Sequence, residues 1–113
     1  MTDNAWHVPL DEIMAELATL PVATRAAYAI RHGTMRVGVY APQGVDDQTP
    51  HSQDELYIVA SGTADFIKAG ARIPVVAQDL LFVEAGADHR FEGMSADFAT
   101  WVVFWGPQGG EEA

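Results

Sequence analysis

The sequence has no cysteine, a single lysine and no long apolar run, and each absence removes a class of function. Without cysteine there is no disulfide framework, no thiolate zinc site and no cysteine nucleophile, so a metal would need His, Asp, Glu or other oxygen ligands. No stretch reaches the roughly 18 apolar residues of a membrane span. The first residues, MTDNAWHVPLDE, lack a basic segment followed by an apolar one, so we expect no signal peptide and a cytoplasmic protein.

Basic residues are scarce as well. The 113-residue chain carries 16 acidic and 6 basic side chains, a formal net charge of −10. Proteins that bind phosphate backbones do so by displacing counterions with Lys and Arg. Nucleic acid and anionic membrane surfaces are therefore not expected as partners, and the length fits one domain with one modest core.

The order of predicted elements favours an all-β fold with one helix. Residues 10–20 place Leu10, Ile13, Met14, Leu17 and Leu20 at helical spacing. Short runs rich in Val, Ile, Phe, Tyr and Trp follow, bounded by Gly, Pro, Asp or Asn, with a hairpin turn at Gly70. Seven or eight such strands and no strand–helix alternation predict an antiparallel sandwich or jelly roll. We expect an amino-terminal segment and helix packed outside (1–22), a barrel (23–107) and a flexible tail (108–113).

Two of the four histidines stand out from the sequence. His51 shares strand parity with Gln53, Glu55, Tyr57 and Val59, so an extended chain would turn all five to one face. A face that buries valine carries His and Glu only if these side chains have partners. A polar strand end at the rim of a barrel is the simpler interpretation of this pattern.

His89 shares parity with Phe91 after the reversal at Gly86, so it is expected to point inward with the phenylalanine. Considered without the other candidate residues, His89 would be interpreted as a core histidine whose ring nitrogens are hydrogen-bonded. With His51 and Glu55 it completes a set of two imidazoles and one carboxylate, which suits a divalent ion such as Fe, Mn, Ni or Zn with open positions for a substrate.

The same residues carry a family resemblance. HSQDELYIVASG contains H-x3-E-x6-G through His51, Glu55 and Gly62, and DLLFVEAGADHRF contains G-x2-H through Gly86 and His89. Here the sequence resembles the cupin superfamily, small antiparallel jelly-roll barrels with the motifs G-x5-H-x-H-x3-4-E-x6-G and G-x5-P-x-G-x2-H-x3-N. The resemblance covers about residues 35–105 and implies a cupin barrel with His51, Glu55 and His89 as metal ligands.

The chain also departs from the family pattern. Thr49 stands at the first histidine of the first motif. In the second motif, Gln78 replaces the first glycine, Glu84 the proline and Gly93 the final asparagine. One family ligand is thus missing, and Gln53 is a candidate to supply an amide oxygen in its place.

Further candidate residues surround the predicted site. Tyr57 is a candidate general acid or hydrogen-bond donor, or an interior aromatic whose hydroxyl reaches the mouth of the barrel. Candidate substrate-binding residues are Arg36, as a clamp for a carboxylate, together with Tyr40, Trp101 and Phe104. The last strand is apolar on both faces, so its outer face is expected to be covered by the helix or by a second subunit in a homodimer.

Three functions remain open at this point. The first is a metal-dependent enzyme of oxygenase, isomerase or lyase type that acts on a small organic molecule. The second is a non-catalytic module that binds or senses a small molecule. The third is a metal-free acid/base enzyme of the sugar-epimerase kind, using His51 or His89 with Tyr57.

Overall fold

The computed structural model describes residues 5–21 and 25–112. They form one helix and eight strands, all paired antiparallel: α1 Leu10–Ala18, β1 Ala26–His32, β2 Met35–Tyr40, β3 Asp54–Ser61, β4 Thr63–Lys68, β5 Ala71–Val76, β6 Leu80–Val83, β7 His89–Glu92 and β8 Ala99–Trp105. The mostly β architecture with one short helix, predicted from the spacing of apolar runs, is confirmed.

The strands divide into two sheets that enclose the core. One sheet has five strands in the order β1-β2-β8-β3-β6, and the other has three in the order β5-β4-β7. Apolar side chains from the facing sides fill the space between them: Tyr57, Val59, Ala64, Phe66, Val75, Leu81, Val83, Phe91, Phe98, Val102 and Phe104. Because successive side chains of a strand alternate, the intervening residues of the five-stranded sheet face outward.

Helix α1 covers part of that outer face. Ile13 is fully buried against Ala27, Ala29, Val39 and Ala99, which come from three adjacent strands. The small alanine side chains let the helix approach the sheet closely. The predicted position of the helix outside the barrel is therefore observed.

The helix ends earlier than its apolar spacing predicts. The last helical residue is Ala18, and the Thr19 hydroxyl donates to the carbonyl oxygen of Glu16 at 2.7 Å. This bond satisfies a carbonyl at the end of the helix, and Pro21, which has no N–H, follows two residues later. Leu20, expected in the buried stripe, is consequently 39% exposed.

The segment that we expected to be a flexible tail is hydrogen-bonded to the barrel as far as Glu111. The Gly109 amide donates to the Ser52 carbonyl at 2.6 Å, and the Glu111 amide donates to Asp54 Oδ2 at 2.9 Å. Asp54 also accepts from the Ala85 amide at 3.0 Å. One carboxylate thus joins the chain end to β3 and to the loop after β6.

Candidate metal centre

Three side chains from different parts of the chain meet between the sheets. Glu55 lies near the start of β3 and His89 begins β7, while His51 belongs to the loop that precedes β3. His89 Nε2 lies 3.2 Å from Glu55 Oε1, and His51 Nε2 lies 4.0 Å from the same oxygen. Potential ligand atoms of all three residues lie within 4.8 Å of one another.

Backbone contacts hold the two histidine-bearing loops together. The Gly86 amide donates to the carbonyl oxygen of His51 at 2.8 Å. Gly86 has a φ of +83°, a conformation that glycine adopts without the steric cost of a side chain. The turn glycine of the second motif therefore fixes the main chain at the histidine of the first.

Gly62, the last residue of the first motif, has a different structural role. Its φ is +75°, and a Cβ added there would lie 2.7 Å from the backbone of Phe98. A side chain would push apart the end of β3 and the segment that leads into β8. This glycine therefore maintains the pairing of β3, the strand that carries Glu55, from the far end of that strand.

The orientation of His89 leaves two acceptor atoms facing each other. His89 Nδ1 lies 2.9 Å from the Ala87 carbonyl, which only accepts, so Nδ1 donates this bond. In the neutral imidazole Nε2 then carries a lone pair toward Glu55 Oε1. That oxygen is buried and accepts no hydrogen bond while Nε2 is unprotonated, and the whole residue is 1% exposed. A cation between the two atoms, a proton or a metal ion, would satisfy both.

The surroundings shift the pKa values of the two imidazoles in opposite directions. Burial lowers the pKa of His51, although the Glu55 carboxylate opposes this effect. Burial also disfavours the charged form of His89, but the contacts with Glu55 and the Ala87 carbonyl outweigh it and raise the pKa of His89. His89 is therefore where a proton would reside when nothing else occupies the cluster.

Tyr57 completes the polar contacts of His89. Its hydroxyl lies 3.2 Å from His89 Nε2 and 3.2 Å from Gln48 Oε1, and the side chain is buried. Burial and the neighbouring Glu55 carboxylate raise the pKa of Tyr57 well above its usual value of 10.0. Near neutral pH the side chain is therefore a phenol, which can donate a hydrogen bond but is not a base.

The donor set fits a transition-metal ion. Ligands at about 2.1 Å from a metal lie about 3.0 Å apart when adjacent and about 4.2 Å apart when opposite. The Glu55 oxygen lies within this range of both imidazole nitrogens, at 3.2 and 4.0 Å, and ligand atoms of all three residues lie within 4.8 Å of one another. Two imidazoles and one carboxylate suit Fe, Mn, Ni or Zn.

A small cavity of about 100 Å³ adjoins the cluster. His51, Glu55, Tyr57 and two of the predicted substrate-binding residues, Tyr40 and Phe104, line it. Since a water molecule occupies about 30 Å³ in the liquid, the space suits a few waters or a small organic molecule rather than a nucleotide.

Arg36 lies beside this cavity. Its guanidinium carbon is 4.6 Å from the centre of the Phe104 ring and 4.7 Å from that of Tyr28, which also lines the cavity. No carboxylate of residues 5–21 and 25–112 pairs with it. A cation held by two rings keeps its N–H groups available for an anion.

The structure does not bring Trp101 or Gln53 to the site. Trp101 lies on the opposite face of β8 from Phe104 and packs beside the helix cluster, as alternation along a strand requires. Gln53 precedes β3, so the strand parity used to predict its position does not hold. Its amide nitrogen donates to the carbonyl oxygens of Gly106 at 2.8 Å and Thr34 at 3.3 Å instead.

Two neighbours of the cluster were missed by the sequence analysis. Gln48 Oε1 lies 3.1 Å from His51 Nε2, and its Nε2 donates to Asp46 Oδ2 at 2.7 Å. Both residues belong to the irregular segment between β2 and β3, where no periodicity predicts which way a side chain points. The available signal was their sequence proximity to His51.

Comparison with known proteins agrees with this architecture. The family model described as "Cupin domain" matches residues 36–105. An uncharacterised protein of Streptomyces coelicolor, SCO3923, is 38% identical over 103 residues, which cover 88% of this chain and 94% of that protein.

Solved structures show the same fold at low identity. The DMSP lyase DddQ from Ruegeria pomeroyi is 22% identical with a TM-score of 0.61, over 73% of this chain and 47% of that one. A cupin superfamily protein from Desulfitobacterium hafniense is 20% identical with a TM-score of 0.59, over 79% and 86%. The EutQ protein of Clostridium difficile is 20% identical with a TM-score of 0.53, over 66% and 57%. The chain thus spans only about half the length of DddQ and EutQ.

Within the described residues, no helix has the length and apolarity needed to cross a membrane. The strand order, the motif glycines and the extent of the family match all agree, and the chain belongs to the cupin domain family.

Proposed function

We propose that the protein binds a divalent metal ion through His51, Glu55 and His89 and acts on a small organic molecule in the adjoining cavity. The observation that carries this proposal is that three potential ligands meet in one place: the buried Glu55 oxygen faces a histidine nitrogen at 3.2 Å, and ligand atoms of all three residues lie within 4.8 Å of one another. A metal ion would satisfy both atoms and His51 together. Such an ion would supply Lewis-acid or redox chemistry to a molecule that it binds.

The chain's own residues have separate roles in this proposal. Tyr57 donates a hydrogen bond within the cavity and stays protonated because burial raises its pKa. Tyr40 and Phe104 form part of the cavity wall. Arg36, at the cavity beside the Phe104 ring, binds a carboxylate or another anionic group of the molecule. The 100 Å³ of space favours a molecule of few non-hydrogen atoms.

Metal analysis tests the premise directly. The protein is stripped with chelator, reconstituted separately with Fe(II), Mn(II), Ni(II) and Zn(II), desalted and analysed for bound metal. We expect near-stoichiometric binding of at least one ion by the wild type, and loss of that ion in both His51→Ala and Glu55→Ala. A wild type that retains none of the four ions would overturn the proposal.

The contact between Tyr57 and His89 favours a second candidate, acid/base catalysis without a metal. The Tyr57 hydroxyl lies 3.2 Å from the His89 imidazole and would orient it as the acid/base group, and Glu55 would stabilise the imidazolium. Turnover that persists in chelator and disappears in Tyr57→Phe would support this candidate. Ligand-induced thermal stabilisation without any turnover would instead identify a non-catalytic binding module.

We also propose that the protein is a homodimer that buries the outer face of the five-stranded sheet. Beyond the helix, Ile58, Leu80 and Phe82 are 38%, 64% and 47% exposed on adjacent strands. In a chain of net charge −10, these apolar side chains offer a place where two copies can approach, although Lys68 and Glu84 lie beside Phe82. We expect a dimer mass by light scattering, and a monomer for Phe82→Ser. A monomeric wild type at high concentration would contradict this proposal.

A further inference from the structure

Gln48 presents its amide oxygen to the histidine and carboxylate cluster. Gln48 Nε2 donates to the Asp46 carboxylate at 2.7 Å, which fixes the amide so that Oε1 points the other way. Oε1 accepts from His51 Nε2 at 3.1 Å and from the Tyr57 hydroxyl at 3.2 Å. The side chain also forms part of the cavity wall. Its only acceptor atom therefore faces the cluster.

The carboxylate that orients this amide is itself fixed. Asp46 is 7% exposed and accepts from the Phe91 amide at 2.8 Å and from the Tyr40 hydroxyl. Phe91 belongs to β7, which also carries His89, and Tyr40 ends β2. Asp46 thus anchors the loop to both sheets. The position of the Gln48 side chain is consequently fixed by contacts with the barrel, although the residue lies in a loop.

We propose that Gln48 Oε1 is a fourth protein donor to the metal centre, oriented by Asp46, an inference that rests on the proposed metal binding. A separation of 3.1 Å from His51 Nε2 matches two adjacent ligands of one ion. A carbonyl oxygen has two lone pairs, so it can bind an ion in place of the His51 N–H while it still accepts from Tyr57.

The position of Gln48 also explains how the chain does without the usual histidine of the first motif. Thr49 stands there and is exposed, whereas the preceding residue reaches the cluster. An amide oxygen is a neutral and harder donor than an imidazole. It shifts the preference of the centre toward ions that accept oxygen ligands, such as Mn(II) and Fe(II), over Cu(II) and Zn(II).

Titration of the metal-free protein with Co(II) and Mn(II) tests this inference, with the visible absorption of bound Co(II) reporting its coordination. Gln48→Ala is compared with Gln43→Ala, which removes an exposed glutamine of the same loop. We expect Gln48→Ala to weaken Mn(II) binding roughly 10- to 100-fold and to change the Co(II) spectrum, as losses of groups around metal centres do. Gln43→Ala should match the wild type in both measurements.

A second variant separates the donor from a merely structural residue. Gln48→Glu keeps an oxygen at the same reach, and repulsion from Asp46 directs the new carboxylate toward the cation. We expect it to bind Mn(II) at least as tightly as the wild type. Equal weakening in Gln48→Ala and Gln48→Glu, or an unchanged affinity and Co(II) spectrum in Gln48→Ala, would overturn the role of Gln48.

The metal centre and the role of Gln48 can be disproved separately. If His51→Ala abolishes binding while Gln48→Ala binds as the wild type does, the metal centre stands and only the fourth donor is wrong. If the wild type binds neither Co(II) nor Mn(II) nor any other divalent ion, the metal centre itself is wrong and the role of Gln48 falls with it.

Discussion

The two faces of the five-stranded sheet come from the same strands but differ in chemistry. The inner face of β3 carries Glu55 and Tyr57, both 1% exposed, beside the cavity. The outer face of the same strand carries Ile58, which is 38% exposed and pairs with Leu80 of β6. The buried face thus holds the groups that are costly to bury, where we propose the metal site, and the open apolar face is where we propose that two copies meet.

A substitution on the inner face should have the largest effect. We expect His89→Ala to weaken divalent-metal binding by about 100-fold or more, because it removes one of three proposed ligands. The matched control is Trp101→Phe, which alters an aromatic residue on the outer face of β8. Calorimetric titration of both variants measures the difference. Comparable affinities in the two variants would show that the faces are not functionally distinct.

A substitution under the helix should separate stability from binding. Ile13 is fully buried against the outer face, so Ile13→Ala should lower the free energy of unfolding by about 3 kcal/mol. Its distance from the cavity predicts an unchanged metal affinity. Urea unfolding measures the stability. Leu20→Ala is the control: Leu20 is 39% exposed, so this substitution should lower the free energy of unfolding by well under half as much. A weakened metal affinity in Ile13→Ala would indicate coupling between the faces.

The smallest effect on stability should come from substitution of Asp54, the first residue of β3, which is hydrogen-bonded to the tail. Hydrogen bonds from the Glu111 and Ala85 amides lower its pKa from the ordinary value of 3.8. A carboxyl with a lowered pKa stabilises the folded state above its ordinary pKa and loses that contribution as the pH falls. Asp54→Asn should therefore lower the melting temperature modestly at pH 7.

The melting temperatures at lower pH show whether the charge of Asp54 stabilises the folded protein. As the pH falls below 3.8, the difference in melting temperature between Asp54→Asn and the wild type should shrink, because the wild-type carboxyl also becomes neutral. A difference that stays constant from pH 7 to pH 3 would show that the charge of Asp54 has no part in holding the tail.

The sequence could predict what depends on periodicity and glycine placement. The hairpin through Ala69 and Gly70 and the shared inward face of His89 and Phe91 follow from such patterns. Alternation along β8 also places Phe104 and Trp101 on opposite faces. The sequence does not say which of these two faces is the inner one.

Irregular segments set the limit of that approach. His51 lies at the cluster, but not for the reason of strand parity, since β3 begins at Asp54. The positions of Gln48 and Asp46 depend on single hydrogen bonds to Tyr57, Tyr40 and the Phe91 amide. Local sequence does not encode which partner such side chains meet across the barrel.

The contact between the tail and β3 has a practical consequence for handling the protein. The Gly109 amide binds the carbonyl of Ser52, the residue next to His51, and the Glu111 amide binds Asp54. A purification tag or fluorescent protein fused just behind Glu111 would pull on the main chain beside a proposed ligand. Fusions are better joined before α1, where Trp6 is 96% exposed. Metal measurements on carboxyl-terminally tagged protein would report the tag as well as the site.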